Sequence, residues 1–491
     1  MGKEREPATN APSGTPSEPP CTLRRLLPIP GVFYGGGCSY MACRGLMMGG
    51  IEDVLLITHG PVGCAYFSGI NGYRGEAGKR PPFAGRVFTT DLSEADVIFG
   101  GEQKLAGAID EAVERYHPTA VAVCATCPVG LIGDDIRQVA REAAERHGID
   151  VLPLSCEGFK SEPGWLHGAT RIFEEWVGRE SRPAGPFPVH FMSEECAGDR
   201  GRELKALLER IGYDVVCSMM GATTYEDILR SQDARLVVLD SGKAIDRIPQ
   251  MFQERYGCGF MRVCFTGLGN LAHSLRSMAA FFGDEGLAAR TEEAIAGELA
   301  RVEGVRRQGR QTWGGTVVAA FEDIFRSDDY AVLSTELDMD VIMVAQDYEA
   351  EAYTEDGFAV HVPVRVAKTL DEGVHARLAW GDATEEAHLP GCGHCYCPER
   401  TPAWLRLTLH RRQVAELLKA VQPSLCFAGV EERFGRLDTA LRSERFLSDE
   451  RGTDYAGFDG LARFLRDLAA ARHLAHWVRE VPAWAWEGGA A

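Results

Sequence analysis

Apolar runs of strand length alternate with stretches of helical periodicity along most of this chain. Residues 51–57, IEDVLLI, are apolar and β-branched enough for a buried strand, and the run stops at Thr58-His59 before the turn Gly60-Pro61-Val62-Gly63-Cys64. Two further runs, AVAVC at 120–124 and IDVLPL at 149–154, end in the same way, in turns that carry Cys127 and Cys156. Between them lie the helical stretches GGEQKLAGAIDEAVERYH and DDIRQVAREAAERHG. Strands that alternate with helices predict a parallel α/β sheet, and such sheets bind ligands beyond the carboxyl ends of their strands.

The pattern restarts near residue 186 with GPFPVHFMS, the helix GRELKALLERIG, and the strands YDVVCSMMG and ARLVVLDSG. A third region begins near 311, with TVVAAFEDIF and DMDVIMVAQDY, and closes on one long helical segment, GFDGLARFLRDLAAARHLAHWVREV. The expected fold is therefore α/β: three Rossmann-like parallel-sheet domains around a central cleft. The divisions are a disordered tail at 1–26, domain I at 27–185, domain II at 186–310 and domain III at 311–491.

Composition narrows the classes. The chain has 491 residues, a net charge of −19 and no apolar run of the ~18–20 residues that a membrane span requires. An acidic chain of this kind lacks the basic face that nucleic acid demands, so neither nucleic acid nor membrane is an expected partner. The first 26 residues are rich in Pro, Ser, Thr and Glu and hold no apolar signal core, which points to a cytoplasmic protein. Fifteen cysteines then need a reason other than disulfides.

Three short motifs supply one: YGGGCSYMACRG, THGPVGCAYFSG and CATCPVGLIGDD. Iron–sulfur clusters are held by cysteine thiolates, and glycine turns let backbone N–H groups approach them without a Cβ in the way. The alternative is three unrelated turn cysteines. A fourth candidate is LPGCGHCYCPER, which places Cys392, His394, Cys395 and Cys397 within six residues, a compact set of soft ligands for zinc or for a cluster. The alternative there is a surface loop. In CGFMRVCF, alternation suggests a strand with Cys258 and Cys264 on one face, packed in the core.

The stretches GCSYMACRGLMMGGIEDVLLITHGPVGC, FTTDLSEADVIFGGEQKL, CPVGLIGDDI, CEGF, FQERYGCGFMRVCFTGLGNLAHSL and DYAGFDGLARFLRDL resemble the catalytic α-type subunit of nitrogenase component 1. The likeness runs from about residue 30 to 472, with a gap near 360–408. It implies that Cys38, Cys64 and Cys127 hold one half of a P-cluster-like 8Fe-7S group, shared with a homologous β-type subunit in an α2β2 heterotetramer. It also implies an ATP-dependent iron–sulfur reductase protein that docks transiently, and a larger nitrogenase-type catalytic cluster, with 8Fe-9S-C as the candidate. Cys43, Cys124 and Cys156 are then packing residues or neighbours of the ligands.

The resemblance breaks where that family anchors its catalytic cluster. The family's cysteine position falls on Ser241 and its histidine position on Leu447, or on Ser448 with slippage. Neither serine nor leucine can replace the missing ligand. His167 stands near the family's catalytic histidine and Arg326 near its arginine, so both are candidate catalytic residues. At least one of Cys392, Cys395 and Cys397 is expected to supply a substitute ligand, with Cys258, Cys264 and His167 next in line. These departures turn the expectation from dinitrogen reduction to a nitrogenase-like reductase of another substrate. Among these the chain resembles the methylthio-alkane reductases, which cleave C–S bonds of small organic sulfides to methanethiol and a hydrocarbon. The rival expectation is a scaffold on which a nitrogenase cofactor matures.

Overall fold

The first sheet shows why its strands read as unbroken apolar runs. Its strands β1 (Val54–His59), β2 (Phe88–Thr89), β3 (Ala120–Ala125) and β4 (Asp150–Leu154) lie in the order β2-β1-β3-β4, all parallel. Both faces are covered, so consecutive residues must be apolar. Leu55, Ile57, Val121 and Val123 face the helices Glu102–Tyr116 and Ile136–His147 and meet Leu105, Ile109 and Val139. Val54, Ala120, Ala122 and Cys124 point the other way, into a core centred on Trp176 and Phe173. The helix Ile136–His147 starts where the Asp135 carboxylate accepts the Gln138 N–H at 3.0 Å and stops at Gly148, the usual punctuation of a helix.

These elements come from a computed structural model. It describes residues 38–47, 50–71, 88–158, 164–193, 199–219, 223–240, 247–321, 327–344, 361–367, 384–388, 404–410, 423–428, 446–448 and 455–478.

The second sheet repeats the plan. β5 (Pro188–Ser193), β6 (Asp214–Met219), β7 (Leu236–Asp240) and β8 (Gly259–Val263) run parallel in the order β6-β5-β7-β8. One face, with Met192, Cys217, Val237 and Leu239, completes the core begun by the first sheet. The other face carries Val189, Phe191, Val215 and Val238 and is continuous with Val318, Tyr330, Phe427 and Phe464 of the third region. Tyr330 and Phe427 stack with ring centroids 4.4 Å apart. Truncating such a buried aromatic to alanine costs about 3–5 kcal/mol.

Among the described residues the third sheet has seven strands, in the order β12-β13-β11-β10-β9-β14-β15. β9 (Val317–Phe321), β10 (Asp340–Val344), β14 (Leu425–Ala428) and β15 (Phe446–Ser448) are parallel. β11 (His361–Ala367), β12 (Thr384–His388) and β13 (Trp404–His410) extend that sheet in antiparallel fashion. This extension lies where the resemblance has its gap. Its signal is the alternation of HVPVRVA and WLRLTLH, the period of a strand with two unlike faces.

Candidate functional site

Three sulfurs that are far apart in sequence meet beside the carboxyl ends of β1 and β3. Cys38 precedes the short helix Ser39–Met41, with its carbonyl accepting the Ala42 N–H at 3.1 Å, and a π-helical turn follows at Ala42–Met47. Cys64 lies in the first turn of the helix Val62–Asn71, directly after β1. Cys127 opens the helix Cys127–Ile132 after β3, with Pro128 behind it to set the turn. All three are half-buried and none forms a disulfide.

Their proximity shows in two ways. Burial pushes the Cys64 thiol up, and the neighbouring Cys38 and Cys127 push it further in the same direction. Gly158, which follows β4, lies against the other two sulfurs: a Cβ built on it would stand 2.6 Å from the Cys38 sulfur and 3.3 Å from that of Cys127. Its N–H donates to the Cys127 sulfur at 3.2 Å. Glycine at this position is a requirement of close approach rather than of a turn.

Sequence reasoning expected the glycine cradle to be the glycines next to each cysteine. The structure gives that part to Gly158, from the CEGF stretch that follows another strand. Gly60 serves a different purpose. Its backbone presses on Thr126, whose Oγ1 would lie 2.0 Å from a Cβ there, and this contact locks the Cys64 turn to the Cys127 turn.

The donor set fits an iron–sulfur group. Soft thiols arrive from three turns, one backbone N–H is aimed at sulfur, and the space beside two of the sulfurs is kept free of a side chain. Among the described residues, no three His, Cys, Asp or Glu side chains are arranged about a single ion. Thiolates of a polynuclear cluster bind different irons, so the two observations are compatible.

The remaining cysteines of this region are buried. Cys43 and Cys124 are 0% exposed and Cys156 is 1% exposed. Their thiols lie within hydrogen-bonding reach of one another, and the Cys156 S–H also points at the Ala125 carbonyl at 3.6 Å. Burial pushes the Cys156 thiol well up. His167, in the helix Gly164–Glu175, sits near enough to this trio to act electrostatically on Cys124.

Other candidates fall elsewhere. Arg326, Ser241, Cys392, His394, Cys395 and Cys397 lie outside the described residues. Leu447 is the middle residue of β15, in register with Phe427. Cys258 and Cys264 do not share a strand: β8 covers only Gly259–Val263 and leaves one cysteine at each end. The chain departs from the strand there because the Phe265 N–H turns to the Asp240 carboxylate at 2.9 Å. Cys258 is buried at the amino end, while Cys264 is half-buried at the carboxyl end, where Asn270 Nδ2 donates to its sulfur at 3.4 Å.

One surface feature escaped the sequence reading. Val97, Ile98, Phe99 and Leu131 are exposed, Phe99 at 86% and Leu131 at 77%. The helix Glu94–Phe99, which buries none of its residues, is held by a capping box between Ser93 and Asp96 and packs beside the helix Cys127–Ile132. Apolar side chains are thus presented to solvent next to a cluster-type cysteine, which marks an interaction surface.

Fold and thiol cluster together define a parallel α/β protein with a three-cysteine site suited to an iron–sulfur group. The chain belongs to the nitrogenase component 1 type oxidoreductase family, whose model matches residues 38–472. It is 30% identical over 481 residues to the nitrogenase molybdenum-iron protein alpha chain of Clostridium pasteurianum, covering 93% of this chain and 89% of the relative. It is 28% identical over 449 residues to the nitrogenase iron-molybdenum cofactor biosynthesis protein NifE of Methanococcus maripaludis, covering 90% and 84%. Among solved structures, nitrogenase Cp1 at pH 5 superposes with a TM-score of 0.71 at 27% identity, over 94% of this chain and 92% of that one. No helix among the described residues is long and apolar enough to cross a membrane.

Proposed function

We propose that this chain is the catalytic α-type subunit of a nitrogenase-like, ATP-dependent reductase that cleaves the C–S bond of small methylthio-alkanes. The observation that carries the reductase reading is the meeting of Cys38, Cys64 and Cys127, with Gly158 against two of the sulfurs and an exposed apolar patch beside them. The departure from dinitrogen chemistry rests on Ser241 and Leu447, which stand where the family's anchoring cysteine and histidine would be.

In this reading the three thiols hold one half of a P-cluster-like group whose other half belongs to a homologous β-type subunit, in an α2β2 assembly. Bound there, the group supplies one-electron storage and relay. The chain's own part is to hold the sulfurs on turns that two parallel strands fix in place. Gly158 donates its N–H to the Cys127 sulfur, and the Gly60–Thr126 contact keeps the Cys64 and Cys127 turns in register. Val97, Ile98, Phe99 and Leu131 receive the reductase protein. The overall reaction takes two electrons and two protons: R–S–CH3 becomes R–H and CH3–SH. His167 and Arg326 are the candidate side chains for substrate and proton handling, and Cys392, Cys395 or Cys397 the candidate ligand to the catalytic cluster.

A second reading has one observation in its favour. Loss of both anchoring residues suits a scaffold that releases its cofactor, and NifE is among the relatives. The test is turnover by the purified heteromer with a reductase protein, ATP, dithionite and a methylthio-ether, with methanethiol measured by gas chromatography. Methanethiol formed in an ATP-dependent way supports the reductase. Its absence, together with transfer of an iron–sulfur cofactor from this protein to an apo-nitrogenase, supports the scaffold instead.

A further inference from the structure

His59, the last residue of β1, is completely buried, and its ring joins three segments that the site depends on. Nε2 lies 3.0 Å from Asp134 Oδ2. Nδ1 lies 3.0 Å from Thr90 Oγ1, and that hydroxyl oxygen also accepts the Gly60 N–H at 3.1 Å. The Asp134 carboxylate can only accept, so Nε2 carries the hydrogen and donates to it, which leaves Nδ1 to accept from the Thr90 hydroxyl. A neutral imidazole satisfies every bond, and burial holds the ring's pKa down in keeping with that tautomer.

The two ends of this arrangement differ. At one end, the His59 carbonyl accepts both the N–H and the hydroxyl of Thr126, at 3.1 and 3.0 Å, and Thr126 immediately precedes Cys127. On the other side of His59 the chain enters Gly60-Pro61-Val62-Gly63-Cys64. At the other end, both Asp134 oxygens accept the Gly101 N–H, at 3.1 and 3.0 Å. Gly101 follows the exposed Ile98 and Phe99 within three residues, and Asp134 follows Gly133, which caps the helix that carries both Leu131 and Cys127. One imidazole–carboxylate contact thus links the base of the apolar patch to the turns of two cluster-type cysteines.

We propose that His59 and Asp134 are positioning residues that couple engagement of the Val97–Phe99 and Leu131 patch to the geometry of the Cys64 and Cys127 sulfurs. The inference rests on the docking role given to that patch under the proposed function. A partner that presses on Phe99 and Leu131 moves the segments holding Gly101 and Asp134. Their side-chain bond to the His59 ring is the Asp134 carboxylate. Because the contact is buried and charge-assisted, it transmits displacement instead of dissipating it in solvent.

The test uses the whole heteromer with His59→Leu, His59→Gln and Asp134→Asn. Leucine removes both ring bonds, glutamine restores an N–H donor toward Asp134, and asparagine keeps the acceptor for Gly101 while removing the charge. Three quantities are read: iron content, reduction of the bridging cluster by dithionite alone, and stopped-flow electron transfer from the reductase protein with ATP. His59→Leu and Asp134→Asn are expected to keep iron and dithionite reduction while slowing reductase-driven transfer by about tenfold or more, the size of a typical coupling between sites. His59→Gln is expected to recover most of that rate. Wild-type transfer rates in His59→Leu and Asp134→Asn overturn the inference, as does loss of iron in both, which would make the pair merely structural. A wild-type complex that reduces with dithionite but takes no electrons from a reductase protein overturns the docking reading itself, and the inference with it.

Discussion

The Gly158 N–H donates to the sulfur of Cys127 across 3.2 Å, and the same residue leaves no room for a Cβ beside Cys38. Gly158→Ala should therefore act on the cluster before it acts on the fold. A methyl group 2.6 Å from a sulfur must displace that sulfur or the backbone. Overpacking of this kind costs about 1–3 kcal/mol. The expected outcome is a lower melting temperature together with loss of iron per heteromer. Full iron content in a protein of unchanged stability would show that the space beside Cys38 is not needed.

Cys64→Ala and Cys156→Ala should separate ligand from packing. The first is expected to lose the bridging iron and to weaken association with the β-type subunit, as seen by size-exclusion chromatography under anoxia. The second removes a fully buried thiol and is expected to keep its iron at a cost of about 1 kcal/mol. Equal iron loss in both would assign the buried trio to the cluster as well.

Phe99→Asp and Leu131→Asp test the docking surface. Both positions are largely solvent-exposed, so stability should change by less than about 0.5 kcal/mol. ATP-dependent electron uptake from the reductase protein should fall sharply, while chemical reduction by dithionite is retained. Unchanged uptake in the double variant would place docking elsewhere.

His190 gives a prediction about stability and pH. It is fully buried in β5, edge-on to the Phe252 ring at 4.9 Å, and neither ring nitrogen has a hydrogen-bond partner among the described residues. Burial pulls its pKa from 6.5 down to about 3. The unfolded chain thus takes up a proton that the folded one refuses, so stability falls as pH drops from about 6.5 toward 3 and is level in this respect above that window. His190→Leu should remove this slope and stabilise the protein at neutral pH by about 1 kcal/mol, since an unsatisfied polar group leaves the core. Chemical denaturation at pH 7 and pH 5 checks both. Destabilisation at neutral pH would mean that the histidine has a partner in the assembled complex.

Replacing Cys392, Cys395 and Cys397 together by alanine tests the expected substitute ligand. Loss of the catalytic cluster's iron, with the bridging iron retained, is the expected result. If iron and methanethiol formation both persist, Cys264 is the thiol to replace next. It stands half-buried at the carboxyl end of β8, with Asn270 as a donor to its sulfur.

By itself, the sequence determined the strand–helix alternation of the first two sheets and the three cysteine motifs, while the family resemblance singled out Cys38, Cys64 and Cys127 among them. Runs such as AVAVC are apolar at every position because both faces of a parallel strand are covered, and that requirement is local enough to read without coordinates. The antiparallel strands Thr384–His388 and Trp404–His410 are absent from the sequence reading, since strand pairing across long separations leaves no local mark beyond alternation. Only the tertiary structure decided that Gly158, after β4, closes on sulfurs that β1 and β3 help to position, that Cys258 and Cys264 lie at opposite ends of one strand, and that His59 reaches Asp134. Each of these depends on which strands become neighbours and in what register, and side chains brought together across 75 residues, as His59 and Asp134 are, share no spacing along the chain that would announce them.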